Sequence, residues 1–227
     1  MRQRISECPA VVHCRSEDGT TALHHAIARD NQEAAETLLA NDASARATTN
    51  YGIAPLHLAA MRGSADLVTR LAFQGGFIGA RDPSGNTPLH YAIRNMDAIM
   101  TVKLIAGSAS VDVPNLKGET PLHVTARHGS PVMNAVVIGT SRHVDKTDHQ
   151  GNNALHVAAR YQNVDFARRI IERATSMIRF ARNLEGRSPS DIAFASSNVL
   201  MHNVFSAAQT ADTMDDTDDD DDEDSFE

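Results

Sequence analysis

Apolar residues recur along the chain at helical spacing, in pairs of short segments separated by polar loops. In one such segment Leu67, Val68 and Leu71 would share a single helix face, because the residues between them are polar. Another apolar segment, 55–60, comes just before it, and Gly63 separates the two as a helix break. The pattern therefore predicts pairs of short helices joined by a turn and followed by a polar loop.

The predicted helix pair repeats along the chain. The phrase GNTPLHYAI at 85–93 returns in related form at a period of 33 residues, opening at Gly19, Gly52, Gly85, Gly118 and Gly151. A sixth, degenerate copy, GRSPSDIAF, opens at Gly186, 35 residues further on. A leucine follows each of the first five glycines by four residues, and an apolar residue follows all six by nineteen. One helix pair cannot bury its apolar face alone, so the stacked array is the expected folding unit.

The helix boundaries can be predicted from the residues between the repeats. Thr87 and Thr120 are good N-caps, and the prolines that follow them suit the first helical position. Glycine or asparagine at the break inside each unit tolerates a left-handed turn, at Asn31, Gly63, Asn95, Gly129 and Asn163. We also expect Gly139 to cut the second helix of the fourth unit short.

The 33-residue period, the T-P-L-H phrase and the helix–turn–helix–loop order resemble the ankyrin-repeat family. The resemblance covers residues 12–209, with repeats opening near 19, 52, 85, 118, 151 and 186, after a short N-terminal segment, 1–11. It implies an all-α solenoid of stacked helix–turn–helix units with projecting loops. The polar pair Ser190-Asp191 replaces Leu-His in the sixth copy, which suits a last repeat with one solvated face.

Charge is distributed unevenly. Residues 212–227 carry 11 of the 29 acidic residues and no Lys or Arg, so the remaining chain has a net charge near +3 although the whole has −8. Such a self-repelling segment has too little apolar surface to order itself, so we predict a disordered acidic tail over 210–227, including Asp218, Asp219, Asp220, Asp221 and Asp222. Thr213 and Thr217 each precede an acid by three residues, which resembles the sites of acidophilic kinases.

Histidines are the first candidates for chemistry: His24, His57, His90, His123 and His156 occupy one position in five repeats. Neighbouring repeats stack about 8–10 Å apart, so these rings would not converge on one metal ion. The family resemblance implies a structural role, with hydrogen bonds across the turn between units.

Other candidate sites are weaker. Cys8, His13 and Cys14 lack a fourth ligand, and His143, Asp145, Asp148 and His149 are more typical of a polar, partner-contacting loop than of a metal site. No phosphate-binding, nucleophile-elbow or zinc-protease motif occurs, so we expect neither an enzyme nor a cofactor.

Recognition of another protein is the predicted function. The resemblance implies a concave groove, and residues at the ends of the first helices would face it: Arg29, Met61, Arg62, Arg94, Asn95, Arg127, His128, Arg160 and Tyr161. The five arginines could form a basic stripe, suited to carboxylates or phosphates, or could simply solvate the groove. We expect a monomeric scaffold or adaptor that binds a protein through groove and loops.

Two narrower hypotheses remain. Six repeats followed by an acidic tail resemble the inhibitor-of-kappa-B family, which sequesters Rel-type transcription factors; no D-S-G-x-x-S degron precedes the array, so a constitutive inhibitor is implied. The tail alone suggests a binder of histones or other basic proteins, or a segment that rests on Arg127 and Arg160. Two cysteines, no apolar span and no secretory signal predict a cytoplasmic or nuclear protein without membrane or specific nucleic-acid binding.

Overall fold

The structure is a computed structural model that describes residues 12–215, with side chains for residues 12–207. Thirteen α-helices form within this range. They are α1 (Ala22–Ala28), α2 (Gln32–Ala40), α3 (Pro55–Arg62), α4 (Ala65–Phe73), α5 (Pro88–Arg94), α6 (Ala98–Ala106), α7 (Pro121–His128), α8 (Pro131–Thr140), α9 (Ala154–Tyr161), α10 (Val164–Ile171), α11 (Ser176–Phe180), α12 (Pro189–Phe194) and α13 (Val199–Asp215).

The helices stack in two layers. The first helices of the repeats, α1, α3, α5, α7, α9 and α12, pack in one row, each on its neighbour. Each repeat's second helix packs behind its first helix, so α2, α4, α6, α8, α10 and α13 form the outer row. Residues 12–215 contain no strand, only two isolated bridges. The predicted all-α solenoid is therefore confirmed.

The core is thin and mainly aliphatic. The leucine four residues after each of the first five glycines is buried, and Leu56, Leu89 and Leu155 have no exposed surface. Small residues such as Ala59 and Ala92 are equally buried and let the first helices approach closely. A core one helix pair deep has little room for large rings, which is consistent with the low aromatic content.

The helix starts agree with the sequence prediction. Thr87 and Thr120 are the N-caps of α5 and α7, and each helix has its proline in the first turn. At both starts the ring of the histidine three residues later accepts the backbone N–H of the threonine.

The prediction for the break inside each repeat was partly wrong. Gly63 is left-handed as expected, with φ of 77°, but Gly129 has φ of −66°. Asn31 and Asn163 are not left-handed; their side chains cap α2 and α10, and the residues just before them, Asp30 and Gln162, take positive φ. Asparagine is placed there because the free N–H groups of the second helix need an acceptor. In the third repeat the positive φ falls on Met96, after Asn95.

Two helix lengths also differ from expectation. Gly139 does not end α8, which continues to Thr140, because glycine lowers helix stability by only about 1 kcal/mol and lies here in the last turn. Helix α13 continues to Asp215, so residues 210–215 are helical, although the sequence predicts that they belong to the disordered tail. The composition of 206–211, with three alanines and a glutamine, favours that extension. The two extra residues before Gly186 lie in a connection that contains α11.

Candidate functional site

A finger, the loop that joins one repeat to the next first helix, ends in a tight turn at the repeat glycine. In the third finger the Gly85 N–H donates to the carbonyl of Asp82 at 2.8 Å, and the Asp82 N–H donates to the carbonyl of Asn86 at 3.0 Å. All six glycines have φ between 73° and 79°, a conformation that a side chain strains. A Cβ on Gly85 would also lie 2.8 Å from the backbone nitrogen of Leu116 in the next finger. Glycine is thus required by both conformation and space.

A second repeated position, three residues before each glycine, was missed by the sequence analysis. Asp82 there accepts the N–H groups of Ser84 and Asn86 at 2.9 and 2.8 Å, and Asn115 likewise holds the next finger. The six residues at this position are Ser16, Thr49, Asp82, Asn115, Asp148 and Asn183. All are short polar residues that favour such turns, so the repeat alignment itself carried the signal.

Neighbouring fingers are joined tip to tip by one backbone hydrogen bond. The Leu116 N–H donates to the carbonyl of Ser84 at 2.8 Å, and His149 bonds Lys117 in the same way at 3.0 Å. Equivalent bonds join the first finger to the second and the fifth to the sixth. The junction between the second and third fingers differs, because the donor position holds Pro83, which has no N–H.

The repeat histidines are buried, and both of their ring nitrogens are bonded. In His90, Nδ1 accepts the Thr87 N–H at 3.0 Å, and Nε2–H donates to the carbonyl of Glu119 in the next repeat at 3.2 Å. His24, His57 and His123 also bond a carbonyl 29 residues ahead, and His156 bonds one 31 residues ahead because of the inserted residues. Each ring therefore links two consecutive repeats.

This bonding fixes the protonation state of the rings. A carbonyl can only accept, so Nε2 carries the proton, and the Nδ1 lone pair faces a backbone N–H. Burial lowers the pKa of all five histidines, and lowers that of His90 from 6.5 to about 4. Neutral rings with both nitrogens occupied have no lone pair left for a metal.

The five predicted groove arginines occupy two different helical positions. Arg29 and Arg62 lie ten residues after their repeat glycine, whereas Arg94, Arg127 and Arg160 lie nine after. Arg62 is bonded to the carbonyl of Ala28 in the preceding repeat, and therefore helps to join helix ends. The arginines consequently do not form one uniform stripe.

Basic and aromatic side chains lie together on the first helices of the third to fifth repeats. The Arg94 guanidinium lies over the ring of Tyr91, 5.3 Å from its centroid, and Arg127 lies over Tyr161 at 4.9 Å. Arg127 also binds the buried carboxylate of Glu119 at 2.6 Å. Burial alone would raise the pKa of Glu119, but hydrogen bonds from Asn115 and the charge of Arg127 lower it.

Tyr91 is held in place from two sides. Its hydroxyl donates to Asp82, and its ring meets that of His57 edge to face at 6.3 Å. His128, beside this cluster, has its pKa lowered by burial and by the charges of Arg127 and Arg94. The first helices here thus carry guanidinium–tyrosine pairs that structural residues hold in place.

A pocket of about 590 Å³ opens between the fourth and fifth fingers and α9. Leu116 and Lys117 line it from one finger, and Arg160 and Tyr161 line it from α9. Leu116 is 64% exposed and Tyr161 is 49% exposed, so both offer apolar surface to a ligand.

The predicted finger residues do not form a single cluster of ligands. His143, Asp145 and His149 are exposed, whereas Asp148 accepts N–H groups of Gln150 and Asn152 within its own turn. Within residues 12–207 no group of three or more His, Cys, Asp or Glu is arranged to hold a metal. His13 and Cys14 are exposed.

Several sequence predictions fall beyond the described part of the chain. Cys8, Thr217 and Asp218–Asp222 lie outside it, and Thr213 lies in the part of α13 whose side chains are not described. None of the helices within 12–215 has the length and apolar character needed to cross a bilayer.

Comparison with known families agrees with this architecture. A family model described as "Ankyrin repeats (3 copies)" matches residues 3–82, 41–107 and 97–180, which is well over half of the chain. No curated protein matches the sequence.

Proposed function

Because the chain belongs to the ankyrin-repeat family, we propose that it is a scaffold or adaptor that binds a partner protein in the groove of its third to fifth repeats. Repeats of this family generally mediate protein–protein interaction. A stacked array presents one long surface, on which each repeat contributes a finger and the end of a first helix.

The observation that carries the proposal is the composition of this part of the groove. Arginine and tyrosine are the residues that most often dominate binding energy at protein interfaces, and here they occur as two stacked pairs, Arg94–Tyr91 and Arg127–Tyr161. Stacking orients the guanidinium groups in advance, which reduces the entropy that binding would otherwise cost.

The state of the ionisable groups favours binding over catalysis. The repeat histidines have both ring nitrogens bonded to the backbone, and Asp82 and Asp148 are held by backbone N–H groups of their own turns. A general base needs a free lone pair directed at a substrate. These residues instead stabilise the array.

Affinity purification with charge-reversed variants tests the proposal. The full chain and the variant Arg94→Glu/Arg160→Glu would be compared as bait in extract from cells that express the protein. The matched control is Arg70→Glu/Arg168→Glu, since all four arginines are exposed and lie in the last turn of their helices, but Arg70 and Arg168 belong to the outer row.

The proposal predicts that a partner retained by the wild type and the control is lost by the groove variant. Equal retention by all three proteins would contradict groove binding. The identity of the retained protein also decides the two narrower hypotheses, since a Rel-type transcription factor would support the inhibitor reading and histones would support the acidic-tail reading.

A further inference from the structure

We propose that the pocket between the fourth and fifth fingers is a binding site for an acidic segment, and that its occupant in the free protein is residues 216–227 of this chain. The pocket is the one bounded by Leu116, Lys117, Arg160 and Tyr161.

The carboxylates of this pocket are already bonded within the fold. Glu119 binds Arg127 at 2.6 Å and Asn115 at 3.2 Å, and the side chain of Asp148 accepts the N–H groups of Gln150 and Asn152. These acids therefore have little capacity left to attract a basic ligand.

Arg127 is thus used within the fold, but the other two lysine and arginine side chains of the pocket are in the opposite condition. Lys117 and Arg160 are exposed, and neither side chain has a hydrogen bond or ion pair with the described residues. The pocket thus presents two unused cationic side chains to solvent, which favours a ligand with carboxylates.

Residues 216–227, which belong to the acidic tail, have the complementary chemistry. Their sequence, DTDDDDDEDSFE, contains nine acidic residues and no Lys or Arg. It also contains Phe226, which is followed by Glu227 and lies two residues after Asp224. An aromatic ring with carboxylates nearby in sequence matches a pocket in which Leu116 and Tyr161 lie beside Lys117 and Arg160.

The segment begins at the end of the last repeat, two helix contacts away from the pocket. Helix α13 packs on α12, and α12 packs on α9, which carries Arg160 and Tyr161. Helices in contact are about 8–10 Å apart, so the axes of α9 and α13 are about 20 Å apart. The twelve residues after Asp215 span up to about 40 Å when extended, which exceeds this separation between the axes.

Docking at this pocket would make the segment a competitor of any acidic partner segment that binds there. This regulatory consequence rests on the proposed function, whereas docking itself does not. Since both parts belong to one chain, the effective concentration is high, in the millimolar range for a short flexible connection.

Fluorine NMR of the full chain tests the docking directly. The chain has three tyrosines, so 3-fluorotyrosine labelling gives three signals that Tyr→Phe variants assign. Tyr161 reports on the pocket, and Tyr51, 64% exposed on the second finger, serves as the internal reference. The wild type would be compared with a full-length variant in which Asp218–Asp222 are all Asn, and with Lys117→Glu/Arg160→Glu.

At low ionic strength the Tyr161 signal of the wild type should differ from that of the Asn variant. The difference should vanish near 1 M salt, where the Debye length falls to about 3 Å, and the Tyr51 signal should not change. A labelled peptide of residues 216–227 should bind the Asn variant, and each reversed cation should weaken it about fivefold, whereas Arg29→Glu should not.

Identical Tyr161 signals in the wild type and the Asn variant at low salt would overturn the proposal. A difference that disappears on dilution would assign the occupant to a second copy and overturn the intramolecular form. Because no partner is present, either result leaves the proposed protein-binding function to its own test.

Discussion

Acid should destabilise the array well above the pH at which carboxylates titrate, because its repeat histidines are held neutral. Burial lowers the pKa of His90 from 6.5 to about 4. The unfolded chain therefore takes up the proton first as pH falls, so stability is fully present above pH 6.5 and decreases down to about pH 4.

The magnitude follows from these two values. At pH 5 an unfolded His90 is almost fully protonated, whereas the folded ring is mostly neutral. Relative to pH 7.5, this difference lowers the free energy of unfolding by about 2 kcal/mol. The other four repeat histidines have their pKa lowered in the same direction, so the loss for the whole array should be larger.

Urea unfolding followed by circular dichroism between pH 7.5 and 5 measures this loss. His90→Gln removes the titrating group, so its pH-dependent loss should be smaller than that of the wild type by about 2 kcal/mol. It should also be less stable at pH 7.5 by roughly 1–3 kcal/mol, because buried backbone groups lose partners. His25→Gln is the control, since His25 is exposed.

The reasoning would be refuted if wild-type stability stayed constant between pH 7.5 and 5, or if His90→Gln kept the full pH dependence. The carboxyl groups whose pKa values are lowered titrate further into acid than this window. Hydrogen bonds from Ser16 and Thr20 lower the pKa of Asp18 to about 2, and the pKa values of Asp82 and Glu119 are also lowered.

Three further predictions concern single positions and are measured by urea unfolding or hydrogen exchange. Gly85→Ala should lower the free energy of unfolding by about 1–2 kcal/mol or more, because φ is +74° and the new Cβ would meet the Leu116 nitrogen. Gly139→Ala lies in open space in α8 and should raise the free energy of unfolding by up to about 1 kcal/mol. Changes of the same sign for both variants would be inconsistent with this account. Arg127→Ala should lower the free energy of unfolding by about 3 kcal/mol, because it leaves the buried Glu119 carboxylate without its cation. Adding Glu119→Asn should recover most of this loss, since asparagine occupies the same position in the adjacent repeats, as Asn86 and Asn152. Additive losses would argue against the Arg127–Glu119 pair. Pro83→Ala should supply the backbone N–H that is missing between the second and third fingers. The hydrogen of this new amide should exchange about as slowly as that of Leu116. Fast exchange at position 83 would show that the two fingers do not pair there.

The architecture was predictable because the period of the repeat, rather than any single helix, encodes it. Each helix is only five to seventeen residues long, and isolated helices of that length are marginal. The buried leucines recur in register in five repeats, and the threonine–proline helix start recurs in two, so the structure of each in one repeat predicts it in the others that carry it. Local choices within this frame were harder, as Asn31 and Asn163 show: asparagine suits both a left-handed turn and an N-cap, and the sequence does not distinguish them.

The groove was only partly predictable. Its arginines were correctly located at the ends of the first helices, but a shift of one residue between Arg62 and Arg94 changes their direction by about 100° around the helix. Which cations remain available depends on such contacts as that of Arg127 with Tyr161 in the next repeat. This contact joins residues far apart in sequence, so it becomes visible only once the repeats are stacked.

Site-specific photocrosslinking tests the central claim, that a protein binds in the groove of the third to fifth repeats, most directly. A benzophenone amino acid would replace either Tyr161 in the groove or Phe73, which is 92% exposed at the end of α4 in the outer row. In extract from cells that express the protein, the probe at Tyr161 should give one discrete crosslinked protein, which disappears when Arg160→Glu is added, and the probe at Phe73 should give none. Crosslinking from Phe73 but not from Tyr161 would contradict the account.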